Sequence, residues 1–260
     1  MAYNVEFLEI EKVEMDKPVL IQGLPGLGYV GKVTVDYLIE KLETIKIAEL
    51  YSRYLTLEDG NMGITVQQDG TYSLPKFEFY ALTDSSPNLI FLTGDIQPQY
   101  WGQFEIANRI LDYIQNLGGN TVIAIGGYGT HVRRELQLTF AIVNDVKMGE
   151  KMREMGAEVA RSGTIRGAFA VLLGLAKLKQ MQCIGLLGAT RGLYPDIDAS
   201  RRIVKILMNM YGLQIDTHDL DVRVNDMREK MRRLQEIQRQ ISAPSPQENV
   251  RQKPPFEYII

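Results

Sequence analysis

Pro18-Val-Leu-Ile-Gln-Gly-Leu-Pro-Gly-Leu-Gly-Tyr-Val-Gly-Lys32 decides the fold. A short apolar run, Pro18 to Gln22, reads as a buried strand, and it stops in a glycine-rich turn. Val30, Val33, Tyr37, Leu38, Ile39 and Leu42 then recur near helical spacing, while Lys32, Asp36, Glu40 and Lys41 form a polar face. This is a strand, a tight turn and a helix. The same grammar recurs downstream. Asn88 to Thr93 is a buried strand followed by a helix on Phe104, Ala107, Ile110, Leu111, Ile114 and Leu117, stopped by Gly118-Gly119. Thr121 to Ile125 is a strand leading into Gly126-Gly-Tyr-Gly129. Ile165 to Leu178 reads as a helix of small and apolar residues, and Cys183 to Leu187 as a strand ending in Gly188-Ala-Thr-Arg-Gly192. Asp196 caps a helix whose apolar face holds Ile203, Val204, Leu207 and Met210. Thr44 to Leu50, Gly63 to Val66, Lys76 to Leu82 and Leu136 to Val143 complete the strands. Strands alternating with helices, several apolar throughout, predict an α/β fold with a mainly parallel sheet covered on both faces.

Composition narrows the function. With 29 basic and 32 acidic side chains in 260 residues, the net charge is −3 and no basic cluster of nucleic-acid-binding size stands out. A single cysteine, Cys183, excludes an intramolecular disulfide and reads as intracellular. The first residues alternate apolar with acidic side chains, unlike a signal peptide, and apolar stretches are broken well short of a membrane span. A cytoplasmic protein with no membrane role is expected.

The last fifth differs in kind. Leu220, Val224, Met227, Met231, Leu234 and Ile241 keep a four-three spacing broken only at Gln238, a seam of about three heptads flanked by five acids and six bases. It reads as an oligomerisation helix over 217–242, with packing along its own domain as the alternative. Residues 243–260 contain several prolines and read as a flexible tail closing in Phe256-Glu-Tyr-Ile-Ile260, whose Phe256, Tyr258, Ile259 and Ile260 suit partner docking. The α/β body is then 1–216.

Several motifs bear on chemistry. Gly26-x-Gly28-x-x-Gly31 lies between a strand and a helix, with Glu49 on the next strand where a dinucleotide fold places its ribose acid. Its alternative is a tight, closely packed turn. Arg133, Arg134 and His131 beyond one glycine-rich strand end, and Arg191 beyond another, could form an anion pocket or be solvated loop charges. His131 and His218 have no metal-ligand spacing. Cys183 sits in a buried strand and reads as a core thiol. No catalytic set emerges, so no cofactor and no metal are expected, and the second reading is a nucleoside, phosphate or dinucleotide binder or enzyme at the crevice formed by Gly23, Gly26, Gly28, Gly31, Gly126, Gly127, Gly129, Gly188, Arg133 and Arg191.

Taken together and in order, Gly23-Leu-Pro-Gly-Leu-Gly-Tyr-Val-Gly-Lys32, Leu92-Thr-Gly-Asp-Ile-Gln-Pro-Gln99, Gly126-Gly-Tyr-Gly-Thr130, Arg166-Gly-Ala-Phe-Ala-Val-Leu-Leu-Gly174 and Gly188-Ala-Thr-Arg-Gly-Leu-Tyr-Pro-Asp196 resemble the proteasome assembly chaperone family in its archaeal branch. The match covers roughly residues 18 to 216. The resemblance implies a three-layer α/β/α domain of nucleoside-phosphorylase-like architecture and a homo-oligomer with no catalytic chemistry and no need of ATP. It also implies proteasome α subunits, or the assembled particle, as partners. By the same resemblance, some archaeal relatives look like ATP-independent activators that insert C-terminal tails ending in hydrophobic-Tyr-any residue into pockets between α subunits. Here Tyr258 is third from last, about 3.3 Å out of register in an extended peptide, which weakens the carry-over of direct gate opening.

Overall fold

The computed structural model describes residues 4–57, 60–220 and 222. In chain order the first half holds β1 (Val5–Glu9), β2 (Val19–Gly23), α1 (Val30–Lys41), β3 (Ile45–Ser52), β4 (Thr65–Val66), β5 (Tyr72–Ser73), β6 (Lys76–Leu82), β7 (Leu89–Gly94) and α2 (Gln103–Asn116). The second half holds β8 (Thr121–Gly129), β9 (Thr139–Val143), α3 (Val146–Glu154), β10 (Glu158–Val159), α4 (Ala168–Leu178), β11 (Gln182–Thr190) and α5 (Ile197–Tyr211). Nine strands form one sheet in the order β1-β3-β6-β7-β2-β8-β11-β9-β10, and β4 with β5 makes a separate small hairpin.

The α/β class holds, but the expectation of a mainly parallel sheet is corrected. β7, β2, β8 and β11 form a parallel centre. β1, β3 and β6 join it through antiparallel pairs on one side, and β9 pairs antiparallel with β11 on the other. Loop length explains much of this. A parallel crossover needs a dozen or more residues, and only residues 83–88 separate β6 from β7, so the chain turns straight back.

Two apolar layers hold the sheet. On one face Ile106, Ile110, Leu111 and Ile114 of α2 and Leu172 and Leu175 of α4 bury against Leu20, Phe79, Val122 and Ala124. On the other, Val30, Val35 and Leu38 of α1 and Ile203, Val204 and Leu207 of α5 bury against Ile21, Ile123 and Ile184. Residues 20, 21, 122 and 123 point to alternate faces, as the period of a strand requires. Each fully buried side chain of this size stabilises by about 1.5–3 kcal/mol. Asp196 accepts from the Ala199 amide at 3.0 Å at the start of α5, as its sequence position predicts.

Four strands and helices lie outside the elements that the sequence predicts: β1, β5, α3 and β10. The strand expected from Leu136 begins at Thr139, because a 3-10 turn occupies Glu135–Gln137. The helix expected from Ile165 begins at Ala168, after Gly167 at φ +86°. Most of the expected helix 217–242 and all of the tail 243–260 lie outside the described residues, and with them Val224, Met227, Met231, Leu234, Ile241, Phe256, Tyr258, Ile259 and Ile260. The chain is helical at 218–220 and 222, and Leu220 is only 1% exposed, packed into the core of its own body.

Candidate functional site

In an open α/β sheet, ligands settle beyond the carboxyl ends of the strands, where successive connections leave in opposite directions. That point here lies between β2 and β8. The connection from β2 leads through α1 to β3 on one side, and the connection from β8 leads to β9 on the other. The Gly26-x-Gly28-x-x-Gly31 segment sits at this crevice, as the sequence places it, but it fills the crevice and does not line it.

The contacts are backbone against backbone. A Cβ on Gly127 would stand 2.0 Å from the Leu27 carbonyl oxygen, one on Gly31 2.4 Å from that of Ile125, and one on Gly23 2.2 Å from that of Gly31. Gly28 adopts φ +63° and lies against Thr190, where a Cβ would meet the side chain at 2.6 Å. The Asp196 amide donates to the Gly28 carbonyl at 2.8 Å, and Gln97 donates to that of Pro25. Gly26 precedes the 3-10 turn Leu27–Tyr29 that enters α1.

The other glycines of the expected crevice are corrected in kind. Gly126, Gly127 and Gly129 are not loop residues but continue β8, and Gly188 continues β11, with Gly127 directly opposite Gly188. Gly127, Gly129 and Gly188 keep the strand tips bare so that residues 24–30 can lie on them, a Cβ on Gly188 pressing on Val30 and Ala199 at 3.0 and 3.1 Å, whereas one on Gly126 would meet Leu187 and Phe169 instead.

Glu49 removes the rest of the dinucleotide reading. β3 is not the neighbour of β2, because β6 and β7 stand between them. Glu49 is buried and accepts from Lys46, Lys76 and, at 2.5 Å, Tyr51, while Lys76 also lies 3.3 Å from Glu78. Burial alone would raise its pKa, but the two ammonium groups and the phenol overcome that and hold its carboxyl down at about 2. It is an internal ion pair, not a ribose ligand.

What the filled crevice presents outward is apolar. Leu27, Tyr29, Tyr100, Trp101, Phe104, Tyr128, Val132, Ile165, Leu193 and Tyr194 are exposed and belong to segments at the carboxyl ends of the central strands or at the helix starts beside them. They make up half of the exposed large apolar side chains among the described residues. Leu193 is 69% exposed, Tyr100 79% and Leu27 45%. Scattered exposed apolar residues are ordinary, and a concentration at one end marks an interaction surface. Leu27 touches the strand tips at Gly129 and reaches Gly192, so the three loops form one surface. His131, Arg133, Arg134 and Arg191 are exposed on it, and the Thr130 amide donates to the Thr190 carbonyl at 3.0 Å, which brings the two arginine-bearing segments side by side.

Two ionic clusters brace α1. Lys32 bridges Asp36 and Asp95 at 3.0 Å each. Burial lowers its pKa, but the two carboxylates outweigh that and leave it above the ordinary value. At the far end, Asp219 accepts from Tyr37 Oη at 2.8 Å and pairs with Lys41 at 2.6 Å, fixing the root of the C-terminal segment to α1. Among the described residues no group of three or more His, Cys, Asp or Glu is placed to hold a metal ion, and no helix is long and apolar enough to cross a membrane.

Residues 20–235 match the PAC2 family. An uncharacterised protein of Methanocaldococcus jannaschii is 24% identical over 245 residues, 93% of each chain. Among solved structures, Pyrococcus furiosus PbaB, described as an archaeal proteasome activator, is 30% identical, with a TM-score of 0.81 over 89% of this chain and 99% of that one. Pyrococcus furiosus PbaA, described as an archaeal homologue of proteasome-assembly chaperone, shares the fold at 23% identity and a TM-score of 0.76, over 92% of this chain and 94% of that one.

Proposed function

The chain belongs to the PAC2 family, and from that premise we propose that it is a non-enzymatic chaperone or adaptor of the proteasome-assembly type, acting in the cytoplasm without ATP. Its partners are proteasome α subunits or the assembled particle. The observation that carries this reading is the filled crevice. A body whose ligand position is occupied by its own residues 24–30, and whose carboxyl end turns apolar side chains outward, is built to meet another protein. The descriptions of PbaB and PbaA support the proteasome as that protein's assembly.

The chain divides in this proposal into a body over 1–216, a helix over 217–242 that self-associates along the heptad seam, and a tail over 243–260 that engages the partner through Phe256, Tyr258, Ile259 and Ile260. The burial of Leu220 hands the first seam position to the body itself, so the association begins at Val224.

Native mass spectrometry of the full chain with purified 20S particles, and separately with free α subunits, tests the proposal. Association with either is expected, weakened by Tyr258→Ala or by deletion of residues 256–260. Failure to bind both would overturn it. The protein alone should run as a homo-oligomer by light scattering, and a monomer would remove the self-association.

A further inference from the structure

We propose that the carboxyl end of the sheet is a docking surface for an acidic stretch of a partner protein that also carries apolar side chains. This rests on the protein-partner reading above and adds the chemistry of the partner to it.

The argument is one of charge. The chain as a whole is acidic, with a net charge of −3. Yet residues 24–29, 130–134 and 191–195, which build the part of this end around Leu27, contain Arg133, Arg134, Arg191 and a histidine and no carboxylate, and the exposed Asp95 after β7 is taken up by Lys32 at 3.0 Å. The nearest carboxylates in sequence are turned inward: Glu135 accepts from Thr130 Oγ1 at 2.6 Å, and Asp196 accepts from the Ala199 amide. Lys32, Lys41, Lys46, Lys76, Lys179, Arg201 and Arg202, which lie against the body, pair with acids. Exposed bases such as Arg109, Arg153 and Lys205 do not pair with acids among the described residues, so what distinguishes Arg133, Arg134 and Arg191 is their gathering at one end in segments that hold no carboxylate. Among the described residues no carboxylate lies within ion-pair distance of Arg133, Arg134 or Arg191, and all three are exposed. They lie beside Leu27, Val132 and Leu193, also exposed. Guanidinium groups without partners, set around aliphatic side chains, complement a segment that offers carboxylates around apolar anchors. A nucleic acid is the poorer fit. Three arginines neutralise few phosphates, and the apolar side chains between them offer nothing to a backbone of phosphates.

The test uses fluorescence anisotropy on the full chain, with a labelled glutamate–tyrosine copolymer as the acidic, apolar probe, a lysine–tyrosine copolymer as its charge-swapped control, and polyuridylate as the nucleic acid. The acidic copolymer is expected to bind, and to bind at least about tenfold more weakly to the charge-reversed variant R133E/R134E/R191E. The variant R133K/R134K/R191K should recover most of the binding, because Lys keeps the charge, and raised salt should weaken it. Equal binding of both copolymers, preference for polyuridylate, no binding, or indifference to charge reversal would each overturn the proposal. The 20S particle separates the two readings. If the particle is bound while the acidic copolymer is refused, the docking surface fails and the assembly role stands. If the acidic copolymer is held in the expected pattern while the particle is refused, the assembly role fails and the acidic docking surface stands.

Discussion

Gly127→Ala isolates the filled crevice from every other feature of the fold. Gly127 lies within β8, in backbone conformation that alanine adopts freely, so in open space the change would stabilise by about 0.4–1 kcal/mol through the unfolded chain. The space is not open. The new Cβ would stand 2.0 Å from the Leu27 carbonyl oxygen, where ordinary contact begins near 3.4 Å, and the obstacle is backbone that cannot rotate away. The loop must retreat by roughly 1.4 Å, taking with it the contacts of Leu27 with the strand tips and the Asp196–Gly28 hydrogen bond. Overpacking of this kind costs about 1–3 kcal/mol, and an immovable obstacle belongs at the upper end, about 3 kcal/mol. For a chain of this size each kcal/mol lowers Tm by about 2–4 °C, so a fall of about 6–12 °C is expected in differential scanning calorimetry. Gly174→Ala is the control. Gly174 is inside α4 with nothing near its would-be Cβ, and the same substitution there should raise Tm by about 1–4 °C, because glycine in a helix interior costs about 0.5–1 kcal/mol. If Gly127→Ala left Tm unchanged or raised it as Gly174→Ala does, residues 24–30 would not be seated on β8, and the crevice would have to be reconsidered as open.

Three further outcomes follow from the packing. Glu49 is ionised with a pKa near 2 in the folded chain against 4.5 ordinarily, so its stabilisation is fully present above about pH 4.5 and is lost as pH falls from there through 2. Glu49→Gln should therefore flatten the acid limb of a stability-versus-pH curve measured in urea, and an unchanged slope would show that other groups set it. Cys183 is buried, and burial pushes its thiol up to about 11 with only a small opposing effect from Lys177. It should resist iodoacetamide at pH 8 in the folded protein and react in denaturant, and rapid labelling of the native chain would contradict its place in the core. Asp219→Ala removes the acceptor shared by Tyr37 and Lys41 at a cost of about 1–2 kcal/mol. Hydrogen exchange should then quicken at residues 218–220 while the sheet stays protected, and no local change would mean that Leu220 alone holds that root.

The strand-turn-helix unit at residues 18–42 was legible because its signals are local: an apolar run, a glycine-rich turn and helical spacing lie within a few residues of one another. The same is true of α2 and α5, with their Gly118-Gly119 stop and Asp196 cap. What escaped was non-local. Gly127 and Gly129 carry the composition of loops, and only the arrival of Leu27 from about a hundred residues away shows why a strand should be bare there. Glu49 lies on a strand following the glycine motif, as a ribose acid would, but its partners Lys46 and Lys76 and the two strands placed between β3 and β2 are properties of the assembled sheet. The antiparallel turn from β6 to β7 did have a signal in the six residues 83–88, too few for a crossover. Leu220 shows the limit of a heptad pattern, since a seam position looks the same whether it packs on a partner or on its own body.

Residues 24–30 settle two questions with one conformation. To take a dinucleotide or nucleoside between β2 and β8 the segment would have to leave, giving up the Gly28–Asp196 and Pro25–Gln97 hydrogen bonds and exposing the glycine tips of β8 and β11. Nothing in its geometry prepares for that: Gly23 and Gly31 are in mutual backbone contact, so the strand end, the turn and the first turn of α1 would have to move together. The same seating turns Leu27 and Tyr29 outward beside Val132, Leu193 and Tyr194, so the residues that close the crevice to small molecules also form part of the surface offered to a protein. A substitution that unseats the segment should therefore weaken partner binding and stability together. Charge reversal at Arg133, Arg134 and Arg191, which are exposed and unpaired among the described residues, should weaken binding of the acidic partner alone.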